Sequence, residues 1–220
     1  MGRPSKPLIS RSATIAASID IIDTEGMDAF SLPRVAKQLN VRTSSLYHHF
    51  ADRRELMTEV AKELMTEAKV PEYTVGTDWA DWFVDLSLNY RDAILRHPNA
   101  ALVLLQFLPR DVLAGTYEKC ARILDDGGVP ANLHVVILDG LEKISLATTL
   151  TDLMRGPVDS REVFPNVDAR RHPTLTRALA ANTWSSRELF VVTIRGFLSG
   201  VMGLVTAPVS DRSLEDFIGS

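Results

Sequence analysis

The stretch from Ser31 to Phe50, SLPRVAKQLNVRTSSLYHHF, decides the fold. Val35, Ala36 and Leu39 on one side of Asn40-Val41, and Leu46 on the other, are spaced for two short helices joined by a tight turn. Val41 is available to their shared core. Pro33 falls in the first turn of the earlier helix, where its missing N–H costs nothing, and the helix stops at Asn40. Thr43 or Ser44 can cap the later helix, which the pattern carries to Phe50. This is the spacing of a helix-turn-helix, whose second helix enters the DNA major groove with its N-terminal residues leading. Around the apolar anchor Leu46 it presents Arg42, Thr43, Ser44, Ser45, Tyr47 and His48. Hydroxyls at a helix start meet phosphate where backbone N–H groups favour an anion. Arg42 suits guanine N7 and O6, a bidentate contact worth about 1–3 kcal/mol of discrimination. The same spacing equally fits three ordinary helices of an all-α core with polar residues turned to water.

Helical periodicity continues outward in both directions. Ile15, Ala16, Ile19 and Ile22 make a first helix, capped by Ser10 or Ser12 and ended by Gly26. Asp52 opens a longer helix with Leu56, Val60, Ala61 and Leu64 inward. Pro71 and Gly76 then interrupt the pattern. Trp79, Trp82, Phe83, Leu86, Tyr90 and Ile94 form one apolar stripe that His97-Pro98 ends. Shorter helices fit residues 99–107 and 110–125, with Asp126-Gly127-Gly128 as a turn. Leu133, Val136, Ile137, Leu141, Ile144 and Leu150 mark a long helix to about Arg155. Residues 156–172 read as a long surface loop, and a final helix spans about Ser186 to Thr206. The expected fold is all-α: a helix-turn-helix head over residues 1–53, a connecting helix and linker over 54–77, and a larger helical domain over 78–220.

Composition narrows the class. The 220 residues are 45% hydrophobic and 24% charged, an ordinary globular balance. Cys120 is the lone cysteine, so an intrachain disulfide and a thiolate zinc cluster are both excluded, which fits a reducing cytoplasm. No apolar run approaches the roughly 18 residues that span a bilayer, and Met1–Pro7 does not lead into a signal-peptide core. A cytoplasmic protein without a membrane segment is expected. The net charge of -4 divides unevenly: residues 1–53 carry seven basic and five acidic side chains, leaving -6 to the remainder. A phosphate-facing surface needs positive potential only locally, within a Debye length of about 8–10 Å.

The run V-A-K-Q-L-N-V-x-x-x-S-L-Y-H-H-F-x-D-R-x-E-L, Val35 to Leu56, resembles the DNA-binding signature of the tetracycline-repressor (TetR) family, and Glu25–Ser31 resembles its lead-in. The likeness covers about residues 8–65 and extends more loosely to 79–97. It implies an all-helical homodimer whose two heads read a palindromic double-stranded DNA operator and whose bodies bind a small-molecule inducer. Carried onto this chain, the groove contacts are Thr43, Ser44, Ser45, Tyr47 and His48, with Ser31 and Arg53 on phosphate. Pro33 departs from the pattern, standing where tetracycline-binding members have a base-contacting arginine. Leu104 and Phe107 replace those members' magnesium-binding histidine and drug-contacting threonine, and their metal-linked glutamate falls near Thr151. No metal and no cofactor is expected. Leu86, Tyr90, Leu104, Phe107, Thr148 and Thr151 would then line an apolar pocket for a largely hydrophobic inducer, or serve as core.

Gly196, Gly200 and Gly203 in the last helix each cost up to about 1 kcal/mol relative to Ala, so something offsets them. Gly196 and Gly200 share a face that lets a helix approach closely, and the helix around Gly140 and Ala147 is the expected neighbour. The resemblance implies a four-helix dimer interface there; close packing within one chain is the other reading. Gly2-Arg3-Pro4 with Lys6 reads as a minor-groove arm or as a plain polar terminus. His48 and His49 are adjacent and cannot share a metal from one helix face. Nothing resembles a zinc-protease motif, a phosphate-binding loop or a nucleophile elbow, so no enzyme is expected. The sequence thus points to a ligand-responsive transcriptional repressor. The alternative is a helical small-molecule-binding or protein-interaction module without sequence-specific DNA binding.

Overall fold

The computed structural model describes residues 9–74, 76–107, 110, 113–155, 164 and 166–206. Every regular element among them is helical. Two compact units emerge: one runs to Val70 and takes up Asn89–Gly115, and the other holds Pro71–Leu88 and the chain from Thr116 onward.

The first unit begins with α1 (Arg11–Glu25). The Ser10 side chain caps it, accepting the Ala13 N–H at 3.0 Å, and Gly26 ends it at φ 87°, a left-handed geometry suited to glycine. Ile15, Ile19 and Ile22 are buried as the stripe implied, but Ala16 is exposed and Ala17, Ser18 and Ile21 are buried instead. The reason is that α1 packs against several neighbours, so its buried face is wider and turned from the four-residue stripe. These are α2 (Leu32–Gln38), α4 (Arg53–Thr66) and the 3-10 turns Met27–Ala29 and Ala100–Leu102. Between α2 and α4 lies α3 (Thr43–Leu46), shorter than the expected run to Phe50. Asn40, at φ 53°, makes the turn, and residues 47–49 follow α3 as turns. The helix-start position belongs to Arg42, whose side chain makes no capping bond, and not to Thr43 or Ser44. The Asp52 carboxylate accepts the Glu55 N–H at 2.8 Å, while Glu55 reaches back to the Ala51 N–H at 2.6 Å. This near-reciprocal cap starts α4. The end of α5 (Trp79–Arg96), a 3-10 turn over Ala100–Leu102 and α6 (Val103–Phe107) complete the unit.

The second unit contains the first part of α5, most of α7 (Ala114–Asp126), α8 (Ala131–Arg155), α9 (Pro173–Ala181) and α10 (Ser186–Thr206). Its core gathers Trp82, Phe83, Leu124, Ile137, Ile194 and Leu198. Trp82 meets Phe83 edge-on at 5.0 Å and donates its indole N–H to the Pro71 carbonyl at 3.1 Å. Helix α9 is not foreseen by periodicity. It is nine residues long, starts on Pro173 and buries nothing fully, so no sustained apolar stripe announces it. Among the described residues no helix is long and apolar enough to cross a membrane. The expected arm at Gly2, Arg3 and Lys6, and most of the expected loop over 156–172, lie outside the described residues.

Candidate nucleic-acid interface

Helices α2 and α3 pack on each other through side chains that the quoted stretch supplies. Val35 and Leu46 are wholly buried, with Ala36 and Phe50 nearly so and Phe30 beneath them. The Ser31 hydroxyl caps α2 by accepting the Arg34 N–H at 3.2 Å. With the anchors inside, Arg42, Ser44, Tyr47 and His48 emerge together on the outer surface. Tyr47 is 55% exposed, unusual for a ring that could have packed under the adjacent turn. Thr43 and Ser45 are half-buried, a lesser exposure than the sequence reading gave them. Ser31 and Arg53 flank the surface and are exposed.

The basic side chains of this unit separate into two kinds. Arg11 is tied to Glu55 at 2.8 Å and Glu59 at 3.3 Å, donates to the His49 carbonyl, and lies 4.5 Å over the Phe50 ring. Arg34 pairs with Glu25, to which its Nε donates at 3.2 Å. The hydrogen bond from Arg34 is the largest influence on Glu25 and holds its carboxyl below the ordinary range. Glu55 is lowered too, first by the Ala51 N–H and then by Arg11. These two arginines serve the fold. By contrast, among the described residues no carboxylate pairs with Lys37, Arg42, Arg53 or Arg54, and all four are exposed. Arg53 stacks 5.2 Å from the Phe30 ring centre, which limits its freedom without consuming its charge. Lys37 and Arg54 were not singled out by the sequence, because nothing in it says which basic residues find acidic partners across tens of residues.

The remaining expected site residues fall elsewhere. Leu86, Thr148 and Thr151 belong to the second unit, and Tyr90, Leu104 and Phe107 to the first. Leu86 and Leu104 are buried, whereas the Thr148 and Thr151 hydroxyls donate to carbonyls of their own helix, Ile144 and Ala147. Among the described residues no cluster of three or more His, Cys, Asp or Glu side chains could hold a metal ion. At Gly140 an added Cβ would overlap the Phe197 ring, so close packing between α8 and α10 within the chain uses this glycine. Gly196, Gly200 and Gly203 have open space where a Cβ would stand, and Ala147 is exposed. The close approach thus joins Gly140 to Phe197, not the α10 glycines to α8.

Residues 15–60 match the sequence model of the tetR family of bacterial regulatory proteins. The class D tetracycline repressor of Escherichia coli is 25% identical over 146 residues, 65% of this chain and 63% of its own length. The chain therefore matches slightly less than two thirds of that repressor. Among solved structures, the TetR family protein ActR of Streptomyces coelicolor superposes with a TM-score of 0.75 over 89% of this chain and 98% of its own, at 24% identity. A variant of TetR of Acinetobacter baumannii gives 0.73 over 93% and 98%, at 19% identity. Residues 15–60 thus carry a DNA-binding domain of the tetR family type, and the helices that follow share the fold of these solved TetR family structures.

Proposed function

We propose that the protein is a cytoplasmic, ligand-responsive transcriptional repressor that binds a palindromic operator as a homodimer and leaves it when a small, largely hydrophobic inducer binds. The observation that carries this reading is the outward cluster of Arg42, Ser44, Tyr47 and His48 on a buried Leu46 anchor, flanked by the unpaired cations Lys37 and Arg53. Base edges are read by Arg42, with Thr43 and Ser45 in supporting positions, while Ser31 and Arg53 meet phosphate. The open glycine face of α10, at Gly196, Gly200 and Gly203, with Ala147 on α8, is where a second copy packs; Gly140 supports it from beneath.

For the inducer we keep Leu86, Tyr90, Leu104, Phe107, Thr148 and Thr151 as the residues to test. The apolar character of Leu86, Leu104 and Phe107 and the internally bonded threonines favour a ligand with few polar groups. Among the similar solved structures, ActR is known in complex with actinorhodin, and a variant of the Acinetobacter baumannii TetR with minocycline. Selection of bound genomic fragments by the purified protein tests the reading, with an inverted repeat as the expected product. Arg42→Ala and Tyr47→Ala should then weaken operator binding while leaving the unfolding transition in place. Unchanged affinity in both variants sinks the proposal.

A further inference from the structure

His97 follows α5 and lies between two carboxylates of the same unit. Its Nδ1 is 2.5 Å from Asp23 Oδ2 near the end of α1, and its Nε2 is 3.1 Å from both oxygens of Glu67 at the end of α4. Asp23 is held further: Oδ1 accepts the Ala100 N–H at 3.1 Å, and its carbonyl accepts Asn99 Nδ2 at 2.7 Å. Glu67 has a second partner in Arg96 Nη2 at 3.2 Å. A ring nitrogen facing a carboxylate must donate, and only the imidazolium donates from both nitrogens. Neutral imidazole serves one carboxylate and turns a lone pair toward the other.

We propose that His97 is a proton-operated clasp that joins the end of α1 to the end of α4 and thereby sets how firmly the DNA-reading helices are held. The neutral ring keeps the doubly anchored Asp23 and gives up Glu67, which retains Arg96. The α1 end is then held from one side only. Three residues after Asp23 the chain turns at Gly26 toward α2, so slack at this point reaches the α2–α3 surface directly. A loosened head binds DNA less well because binding must restore the order that the clasp supplied.

Access and surroundings agree with this role. His97 and both carboxylates line a groove of about 760 Å³, so the ring exchanges protons with water. The charged groups facing this groove are Arg11, Asp20 and Asp23 on α1 and Glu63 and Glu67 on α4, with Arg96 on α5 beside them. Arg11 is already committed to Glu55 and Glu59, which leaves a negative environment around the ring. Burial is the largest influence on His97 and opposes its charge, but the hydrogen bonds to Asp23 and then Glu67 outweigh it and raise its pKa. The stabilisation is therefore complete below the ordinary histidine pKa of about 6.5 and is lost as pH rises through the raised value.

The test uses the full chain, wild type and His97→Gln, with Glu67→Gln as a second variant that leaves the ring in place. NMR titration of the His97 ring, thermal unfolding and binding of the selected operator fragment are followed from pH 6 to pH 9. Wild type should titrate above 6.5, lose thermal stability relative to His97→Gln as pH rises, and lose about fivefold in operator affinity relative to that variant. Comparison with His97→Gln cancels any pH effect that arises elsewhere in the chain or in the DNA. In Glu67→Gln the ring should titrate lower than in wild type. Parallel pH profiles for wild type and His97→Gln overturn the clasp, as does a His97 pKa at or below the ordinary value. A stability profile that follows His97 with no accompanying change in operator affinity overturns the link to DNA. The DNA measurement rests on the regulator reading, whereas titration and unfolding do not: a protein that selects no fragment overturns that reading and the link, and leaves the clasp decided by the other two.

Discussion

Helices α2–α3 and α8–α10 are both packed pairs with an outer face left uncovered, yet the two faces differ in kind. The first shows Lys37, Arg42, Ser44, Tyr47 and His48, side chains that water solvates well. The second shows Val135, Val136 and Met154 on α8, and Val192 with three open glycines on α10. Met154 is 82% exposed and Val135 72%, and apolar surface left in water forgoes about 25 cal/mol per Å². A polar cationic face needs no cover and waits for an anion. An apolar face stripped to glycine along one helix waits for another helix. Under the proposed function, the first pair reads DNA and the second assembles the dimer.

The sharpest way to break that assignment is at α10. Gly196→Arg combined with Gly200→Arg should leave the helix standing, since a Cβ at either position meets nothing, and should convert the proposed dimer to monomer in sedimentation at micromolar concentration. Losing one of two linked heads should reduce operator affinity by about 10²–10⁴-fold. A variant that remains dimeric removes α10 from the interface. Next in size is Leu46→Ala, which empties the wholly buried anchor of α3 and should cost about 2–5 kcal/mol in denaturant unfolding. A cost under about 1 kcal/mol would mean that α3 is not held by this side chain.

These two positions also mark how far sequence carries. Leu46, Val35 and Ala36 could be placed because helix-turn-helix spacing is local: the anchors lie within 20 residues and their periodicity is fixed by the turn at Asn40. The long helices α5, α8 and α10 were legible for the same reason. Ala16 falls in the expected inward stripe because one stripe cannot reveal that α1 has several packing partners. The His97 cluster left no local trace, since Asp23 lies 74 residues away and Glu67 30. The fates of Arg11 and Arg34 were equally hidden. Sequence gave the head seven basic residues, but only tertiary contacts tell that two of them are spent on Glu55, Glu59 and Glu25.

That distinction sharpens into two smaller tests on the cationic face. Lys37→Ala removes a cation that no acid holds, so it should weaken specific and nonspecific DNA alike and reduce the slope of log affinity against log salt by about one. Base preference should stay as it was. Glu25→Gln works in the opposite sense and asks whether a cation can be returned to the face. Arg34 now spends its guanidinium on Glu25, at the junction where α1 hands the chain to α2. With the carboxylate neutralised, Arg34 is freed toward solvent beside the Ser31 cap, and a phosphate passing there gains a partner. Nonspecific DNA affinity at low salt should rise modestly and the salt slope should steepen by up to one, while the folded state loses only an exposed pair whose worth is small. Affinity measured from 50 to 200 mM salt decides it: an unchanged slope would place Arg34 beyond the reach of the DNA backbone and confine the reading surface to Lys37, Arg42 and Arg53.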